Sequence, residues 1–426
     1  MSSLLDVVKS PAAWAEQPFG RLVERSRQAG RPDLQSLSVF LDEGVVPRAS
    51  REDNFNRLGA DLSKYLVVQP GDIVFNKLRT WQGGFGVSRH EGIVSPAYFV
   101  CRPLARVEPR FLHYLLHSVP YLAELTRISK FMPPSQFDIL WEDLRLLPVR
   151  LPATAEQRAI ADFLDAETAR IDALIAKKRR LTEVLHERAR SRLVELVLGD
   201  EGQSGDPSPS GLYRALPHGW SETSLRHLRC EVQTGPFGSQ LHSDEYVEDG
   251  WPVVNPMNLV EGGIRAVPTM TVSDDKRGDL ARHVLQVGDI VFGRRGEMGR
   301  AGLVRDEHAG WLCGTGSLRL RLTPDFIVPP YLALLLGTPP ARAYFQLASV
   351  GSTMDNLNSE IVLGFPTLVP PLVEQQRIVE EVERVRATDT HLDGSLVNQI
   401  DLLVEHRRAL VTAAVTGELA VPGVAA

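Results

Sequence analysis

Two short basic clusters carry the residue types and spacing suited to recognition chemistry. In the first, Lys77 and Arg79 precede Trp81 and Gln82. In the second, Gly293-Arg294-Arg295-Gly296-Glu297-Met298-Gly299-Arg300 sets Arg294, Arg295 and Arg300 among glycines. Glycines let a main chain approach a phosphate closely, and an arginine fork pairs bidentately with guanine or phosphate oxygens. The competing reading is a solvated hairpin whose charges only keep it soluble. Lys77 and Arg294 hold equivalent positions in a repeat described below, and that recurrence favours DNA recognition. A polar loop, Gly351-Ser352-Thr353-Met354-Asp355-Asn356, adds Ser352 and Thr353 as candidate DNA-facing residues.

Catalytic signatures do not accompany them. The sequence holds no His-Glu-x-x-His, no Gly-x-x-x-x-Gly-Lys-Ser/Thr and no Gly-x-Gly-x-x-Gly. Its 11 histidines lack metal spacing. Cys101, Cys230 and Cys313 form no Cys-x-x-Cys pair and read as buried small side chains in a reducing cytosol. Val254-Asn255-Pro256-Met257-Asn258 resembles the Asn-Pro-Pro-aromatic motif of amino-methyltransferases only superficially, lacking the second proline and the aromatic residue. Gln233-Thr234-Gly235-Pro236-Phe237-Gly238-Ser239 is a loop that either presents side chains to a groove or simply connects. The simpler inference is a binding protein with no cofactor or metal of its own.

The elements that must position the basic loops recur. Val67 to Phe75 reads as a turn at Pro70-Gly71-Asp72 followed by a buried strand. Leu285 to Phe292 repeats it. Ile93 to Cys101 is a further strand candidate, and Phe111 to Leu125 has helical apolar spacing interrupted by Pro120. Tyr331 to Leu336 stands where that helix stood. The chain thus reads as a tandem duplication of a mixed α/β (α+β) globular domain plus a long helix.

The long helices are expected over Leu151 to Gly199 and again from Val369 onward. Each has proline ahead of a Glu-Gln pair and a closing glycine, Gly199 or Gly417. In the second, Ile378, Val382, Val385, Leu392, Leu396, Leu403 and Leu410 trace a heptad seam. In the first, Leu164, Ile171, Leu174, Leu181 and Leu185 follow the same register, with Lys178 and Arg188 interrupting. Neither helix can bury its stripe alone, so the two are expected to pair. Gly394 is a candidate bend.

The domains expected are 1–150, a helix at 151–199, a flexible linker at 200–215, a second domain at 216–368, a second helix at 369–418 and a tail at 419–426. Net charge is −6, which does not advertise a self-sufficient DNA binder. Residues 1–150 carry +3, 151–200 carry 0, 201–370 carry −5 and 371–426 carry −4. DNA affinity must therefore rest on local patches or on a partner. No apolar run suggests a membrane span, and the opening residues lack signal-peptide character, so a cytoplasmic prokaryotic protein is expected.

Two globular domains, each followed by a long helix starting near Pro-x-x-x-Glu-Gln, resemble the specificity subunit of a Type I restriction–modification system. The resemblance is carried by Glu156-Gln157 with Ile160, by Glu374-Gln375 with Arg377-Ile378, and by Ala414-Val415-Thr416-Gly417-Glu418-Leu419. Gly71-Asp72-Ile73-Val74, Gly288-Asp289-Ile290-Val291, Gly92-Ile93-Val94-Ser95-Pro96-Ala97-Tyr98 and Leu216-Pro217-x-Gly219-Trp220 add to it. The first domain departs from the pattern, lacking a Leu-Pro-x-Gly-Trp opening.

The resemblance implies two target-recognition domains that read the halves of a bipartite sequence in double-stranded DNA. It implies antiparallel helices that set the gap and dock two methyltransferase subunits, with restriction subunits joining that core. Glu156, Gln157, Ile171, Leu181, Glu374, Gln375, Leu396 and Leu403 are the expected spacer and docking positions. S-adenosylmethionine, ATP and Mg are then expected on the partner subunits and no catalysis on this chain. Two rivals stand beside this reading: a methyltransferase or nuclease fused to recognition domains, and a coiled-coil adaptor without DNA affinity.

Overall fold

The computed structural model describes residues 11, 13–51, 59, 61–132, 136–199, 205–237, 240–260, 263–296, 298–323, 325–349 and 357–422. They form two compact units, one of residues 1–180 with 395–426 and the other of residues 181–394. The central helix, Thr154–Leu198, and the C-terminal helix, Leu372–Thr416, each contribute one segment to each unit.

In unit 1 a four-stranded antiparallel sheet runs in the order Val23–Ser26, Tyr98–Pro103, Ile73–Asn76, Phe85–Val87. Ile73, Val74 and Phe75 are fully buried, as a β-branched and aromatic run between two covered faces should be. The turn before them needs Gly71, whose φ is +93°. Asp72 closes that turn by accepting from the Gln69 amide at 2.9 Å, and it pairs with Arg102 at 3.2 Å.

Two expected elements are each split in two. The strand expected over Ile93 to Cys101 breaks at Ser95-Pro96-Ala97, because Pro96 has no amide hydrogen to give a ladder. Gly92–Val94 pairs with Leu66–Val68, and Tyr98–Pro103 enters the main sheet. The helix expected from Phe111 to Leu125 becomes Pro109–His117 and Val119–Ile128. Pro120 lies in the first turn of the second helix, where a missing amide hydrogen costs nothing. These helices cover the sheet through Phe111, Leu112, Leu115, Leu116 and Leu125.

Unit 2 repeats the plan. Its sheet runs Cys230–Thr234, Ser317–Leu322, Ile290–Gly293, Ala301–Leu303. Gly288 has φ +90°, Asp289 accepts from the Gln286 amide at 2.8 Å, and it pairs with Arg321 at 2.6 Å. Pro329–Leu336 and Pro339–Ser349 are the covering helices. Among the described residues, unit 2 also carries a three-stranded sheet of Thr271–Val272, Trp251–Val254 and Leu312–Cys313, and a hairpin of Leu259–Val260 with Gly263–Ile264.

Part of the segment expected as a linker is tied down. Tyr213 is buried, and its hydroxyl donates to the Pro366 carbonyl at 2.6 Å. Residues 200–204 lie outside the described residues. Each long helix ends on a glycine with left-handed φ, +83° at Gly199 and +80° at Gly417.

Within unit 1 the helix segments run antiparallel. Asp172 pairs with Arg407 at 2.9 Å, and Lys178 reaches Gln399, so one residue number rises as the other falls. Within unit 2, His186 lies 3.4 Å from Asp393. The seam differs from the expected register. Ile171 is buried, but the next buried position is Ile175 rather than Leu174, which is 44% exposed. Leu181 and Leu392 also face outward, 47% and 39% exposed. Polar pairs occupy the seam there, which explains why apolar side chains turn away. Leu396 is buried and Leu403 half-buried. Gly394 sits in unbroken helix.

Candidate nucleic-acid interface and helix anchors

The loop after Ile73–Asn76 is built by Asn76. Its side chain accepts from the Leu78 amide at 3.2 Å, and its carbonyl accepts from the Arg79 amide and the Thr80 hydroxyl. Gly83, at φ +87°, lets the chain turn back, and a Cβ on Gly84 would stand 2.7 Å from Arg79. This clamp separates the two cations. Lys77 folds inward, its ammonium donating to the Pro96 carbonyl at 2.8 Å and lying 4.8 Å above the Phe99 ring. Burial, then the nearby Arg25, holds its pKa below the usual lysine value. Arg79 and Gln82 are exposed, while Trp81 packs on Phe137 at 4.8 Å.

Unit 2 makes the same division. Arg294 donates to the Leu357 carbonyl at 3.1 Å and lies 5.3 Å from the Phe237 ring. Burial, then Arg295, lowers its pKa. Arg295 and Arg300 are exposed and flank a cleft of about 190 Å³ lined also by Pro256, Met257, Gly293 and Gly296. Arg300 also donates to the Leu259 carbonyl at 3.1 Å. Gly296 and Gly299 have φ of +83° and +80°, so glycine is required at both turns. Ser352 and Thr353 lie outside the described residues.

Arg48 and Arg25 also belong to the unit 1 surface and had no signal in the sequence. Burial pushes the Tyr98 phenol up, against the pull of Arg48 and Arg79 beside it. Arg25 stacks 4.7 Å from the Phe99 ring, carrying the same charge as Lys77 and sharing its aromatic partner. Arg25 arrives from the strand Val23–Ser26 and Arg48 from the short 3-10 helix Arg48–Ser50, both distant in sequence from the loop.

The Glu-Gln pair at each helix start performs an internal task. Gln157 is buried; its carbonyl oxygen accepts from the Glu108 amide at 2.9 Å, and its nitrogen donates to Arg106 and Pro152 carbonyls at 3.3 and 2.9 Å. Gln375 repeats this with the Val328 amide at 2.8 Å and the Phe326 and Pro370 carbonyls at 2.9 and 2.8 Å. Both side chains thus anchor the long helices to their own domains and are buried there. Glu156 accepts from the Trp14 indole at 3.3 Å, whereas Glu374 pairs with Arg377 at 2.7 Å.

The first domain lacks the Leu-Pro-x-Gly-Trp opening, yet Trp14 makes the same turn as Trp220. The Trp14 amide donates to the Pro11 carbonyl at 3.0 Å, as the Trp220 amide does to Pro217 at 3.0 Å. A side chain on Gly417 would collide with Pro11, and one on Gly199 with Pro217. The shared signal is Pro-x-x-Trp, without the leucine and glycine.

Among the described residues no group of three His, Cys, Asp or Glu side chains could hold a metal ion. No helix is long and apolar enough to cross a membrane among them. Burial pushes the Cys313 thiol up to about 12 and Cys101 higher still, as expected of packing residues.

No family model matches the chain. The Type I restriction enzyme EcoKI specificity subunit of Escherichia coli (strain K12) is 24% identical, over 96% of this chain and 90% of that protein. The StySPI specificity subunit of Salmonella potsdam is 23% identical over the same shares, 96% and 90%. Among solved structures, one reported for complex assembly and conformational transition of the type I R-M system has TM-score 0.72 at 17% identity, covering 96% of this chain and all of that one. The HsdS subunit of Thermoanaerobacter tengcongensis has TM-score 0.59 at 18% identity, covering 97% and 100%. In sequence and in fold alike, this chain is similar to Type I restriction enzyme specificity subunits over nearly its whole length.

Proposed function

We infer that this chain is the DNA-reading, non-catalytic subunit of a Type I restriction–modification complex, with each unit reading one half of a bipartite target. The observation that carries the reading is the duplicated loop. At the end of the same strand of the same four-stranded sheet, each unit holds one cation inward and leaves others exposed, Arg79 in unit 1 and Arg295 and Arg300 in unit 2. An inward cation fixes the loop; the outward ones are exposed to solvent, where phosphate or base edges can approach.

The helices are proposed as spacer and as docking site for two methyltransferase subunits, which restriction subunits then join. In support, large apolar side chains stand exposed on them: Leu174, Val397 and Leu402 in unit 1, Leu181, Val184 and Leu392 in unit 2. S-adenosylmethionine, ATP and Mg would be held by the partners. Because net charge is −6, tight specific binding is expected only with methyltransferase subunits bound. A gel shift with and without co-expressed subunits, at one salt concentration, tests this. Equal affinity of the chain alone would contradict it.

A further inference from the structure

The turn Asn255-Pro256-Met257-Asn258 fits no catalytic motif, yet it is among the most tightly specified turns in unit 2. The Asn255 amide donates to Asn258 Oδ1 at 2.9 Å, and the Asn258 amide donates back to the Asn255 carbonyl at 2.9 Å. Asn258 Nδ2 donates to the Arg265 carbonyl at 2.9 Å, and Asn255 Nδ2 reaches the Tyr246 hydroxyl at 3.3 Å. Glycines make room for the turn: a Cβ on Gly314 would collide with Asn255, and one on Gly316 would stand 2.9 Å from Pro256. Asn258 is 1% exposed, whereas the adjacent Met257 is 61% exposed.

A turn clamped on every side therefore holds one large apolar side chain out to solvent. Met257 lines the same cleft as Arg295 and Arg300, and exposed Arg265 is bonded through its main chain to Asn258. A thioether that lines a cleft with two arginines and is 61% exposed serves no core. Among the base edges in a groove, the one strongly apolar feature is the thymine 5-methyl group, and methionine is soft enough to fit against it.

We propose that Met257 is a specificity-determining residue of unit 2, held by the Asn255–Asn258 turn between Arg295 and Arg300 to meet a thymine methyl group in the DNA target. This rests on the reading of unit 2 as a DNA-recognition unit. The arginines supply position and charge; Met257 supplies discrimination for one thymine.

The test uses the complex reconstituted with its methyltransferase subunits. Its target is first mapped by sequencing methylated sites, and each thymine of both half-sites is then replaced in turn by uracil, which lacks only the methyl group. One replacement is expected to weaken wild-type binding roughly fourfold, the worth of one methyl removed from water. The same replacement should leave the Met257→Ala complex unchanged. Being exposed, Met257 can be replaced without disturbing the core. A wild-type complex that selects a sequence but has no methyl-dependent thymine overturns the assignment, as does one whose dependence survives in Met257→Ala. A complex with no sequence preference instead overturns the reading of the units as DNA readers.

Discussion

Unit 1 and unit 2 share their framework and differ in what they put on it. The strand order, the buried aspartate closing the turn, the glutamine at the helix start and the Pro-x-x-Trp opening recur almost atom for atom. Around the basic loop only the inward cation, Lys77 or Arg294, is kept. Unit 1 sets Trp81 on Phe137 and brings Arg48 beside Tyr98; unit 2 builds a three-stranded sheet and a cleft holding Met257 between arginines. The shared residues are those whose polar groups are buried and satisfied, so substituting them is costly. Among the differing ones, Arg79, Arg295, Arg300 and Met257 are exposed, and their side chains can change without disturbing a core. A scaffold that holds its anchors and releases its surface suits two modules that read different sequences.

The largest effects should come from breaking the shared anchors. Gln157→Ala removes the side-chain partner of the Glu108 amide and of the Pro152 carbonyl, while the Arg106 carbonyl keeps the Thr154 hydroxyl at 2.9 Å. Gln375→Ala removes the side-chain partner of the Val328 amide and of the Phe326 and Pro370 carbonyls. Each should cost about 3 kcal/mol, summing one or two unsatisfied buried groups, read as a shift in the urea midpoint. Unequal costs well beyond error would show that the units are not energetic equivalents.

Next come the differing surfaces. If Arg295 touches a base, Arg295→Ala should cost ~1–3 kcal/mol and relax one position of one half-site. If it touches phosphate, binding should weaken for all sequences and the salt slope fall by about one unit. Lys77→Met should behave otherwise, since Lys77 holds the loop. It should loosen that half-site as a whole, seen by comparing methylation across all its positions.

Smaller still is the helix cap. Gly199→Ala and Gly417→Ala force a side chain into left-handed backbone and onto a proline, for roughly 1–2 kcal/mol each, measured by thermal unfolding. Least costly to affinity, if the helices act as the spacer, is a change in their length. Four residues inserted near Leu181 advance that helix by roughly 6 Å, which is one or two base pairs at about 3.4 Å each. The mapped target should gain or lose that many unspecified bases with its half-sites unchanged. An unchanged gap would leave the helices a docking role alone.

Much of the scaffold was legible because it rests on local rules. Gly-Asp-Ile-Val announces turn and buried strand, and proline, Glu-Gln and glycine bracket each long helix. The basic loops were legible as positions but not as roles. Whether Lys77 faces solvent depends on the Pro96 carbonyl, which comes from another strand, and Arg294 depends in the same way on Leu357. Leu174 and Ile175 are both apolar and adjacent, so the pattern could not choose between them; the packing of the partner helix did. The sequence around Gln157 and Gln375 does not reveal their burial, which depends on loops brought in from residues 106–108 and 326–328.

The most direct test of one unit reading one half-site is photo-crosslinking from positions 79 and 295. The complex with methyltransferase subunits is bound to a single duplex carrying the mapped target, and the adduct positions are sequenced. Crosslinks from position 79 should fall in one half-site and those from position 295 in the other. Adducts from both positions in the same half-site would contradict the account.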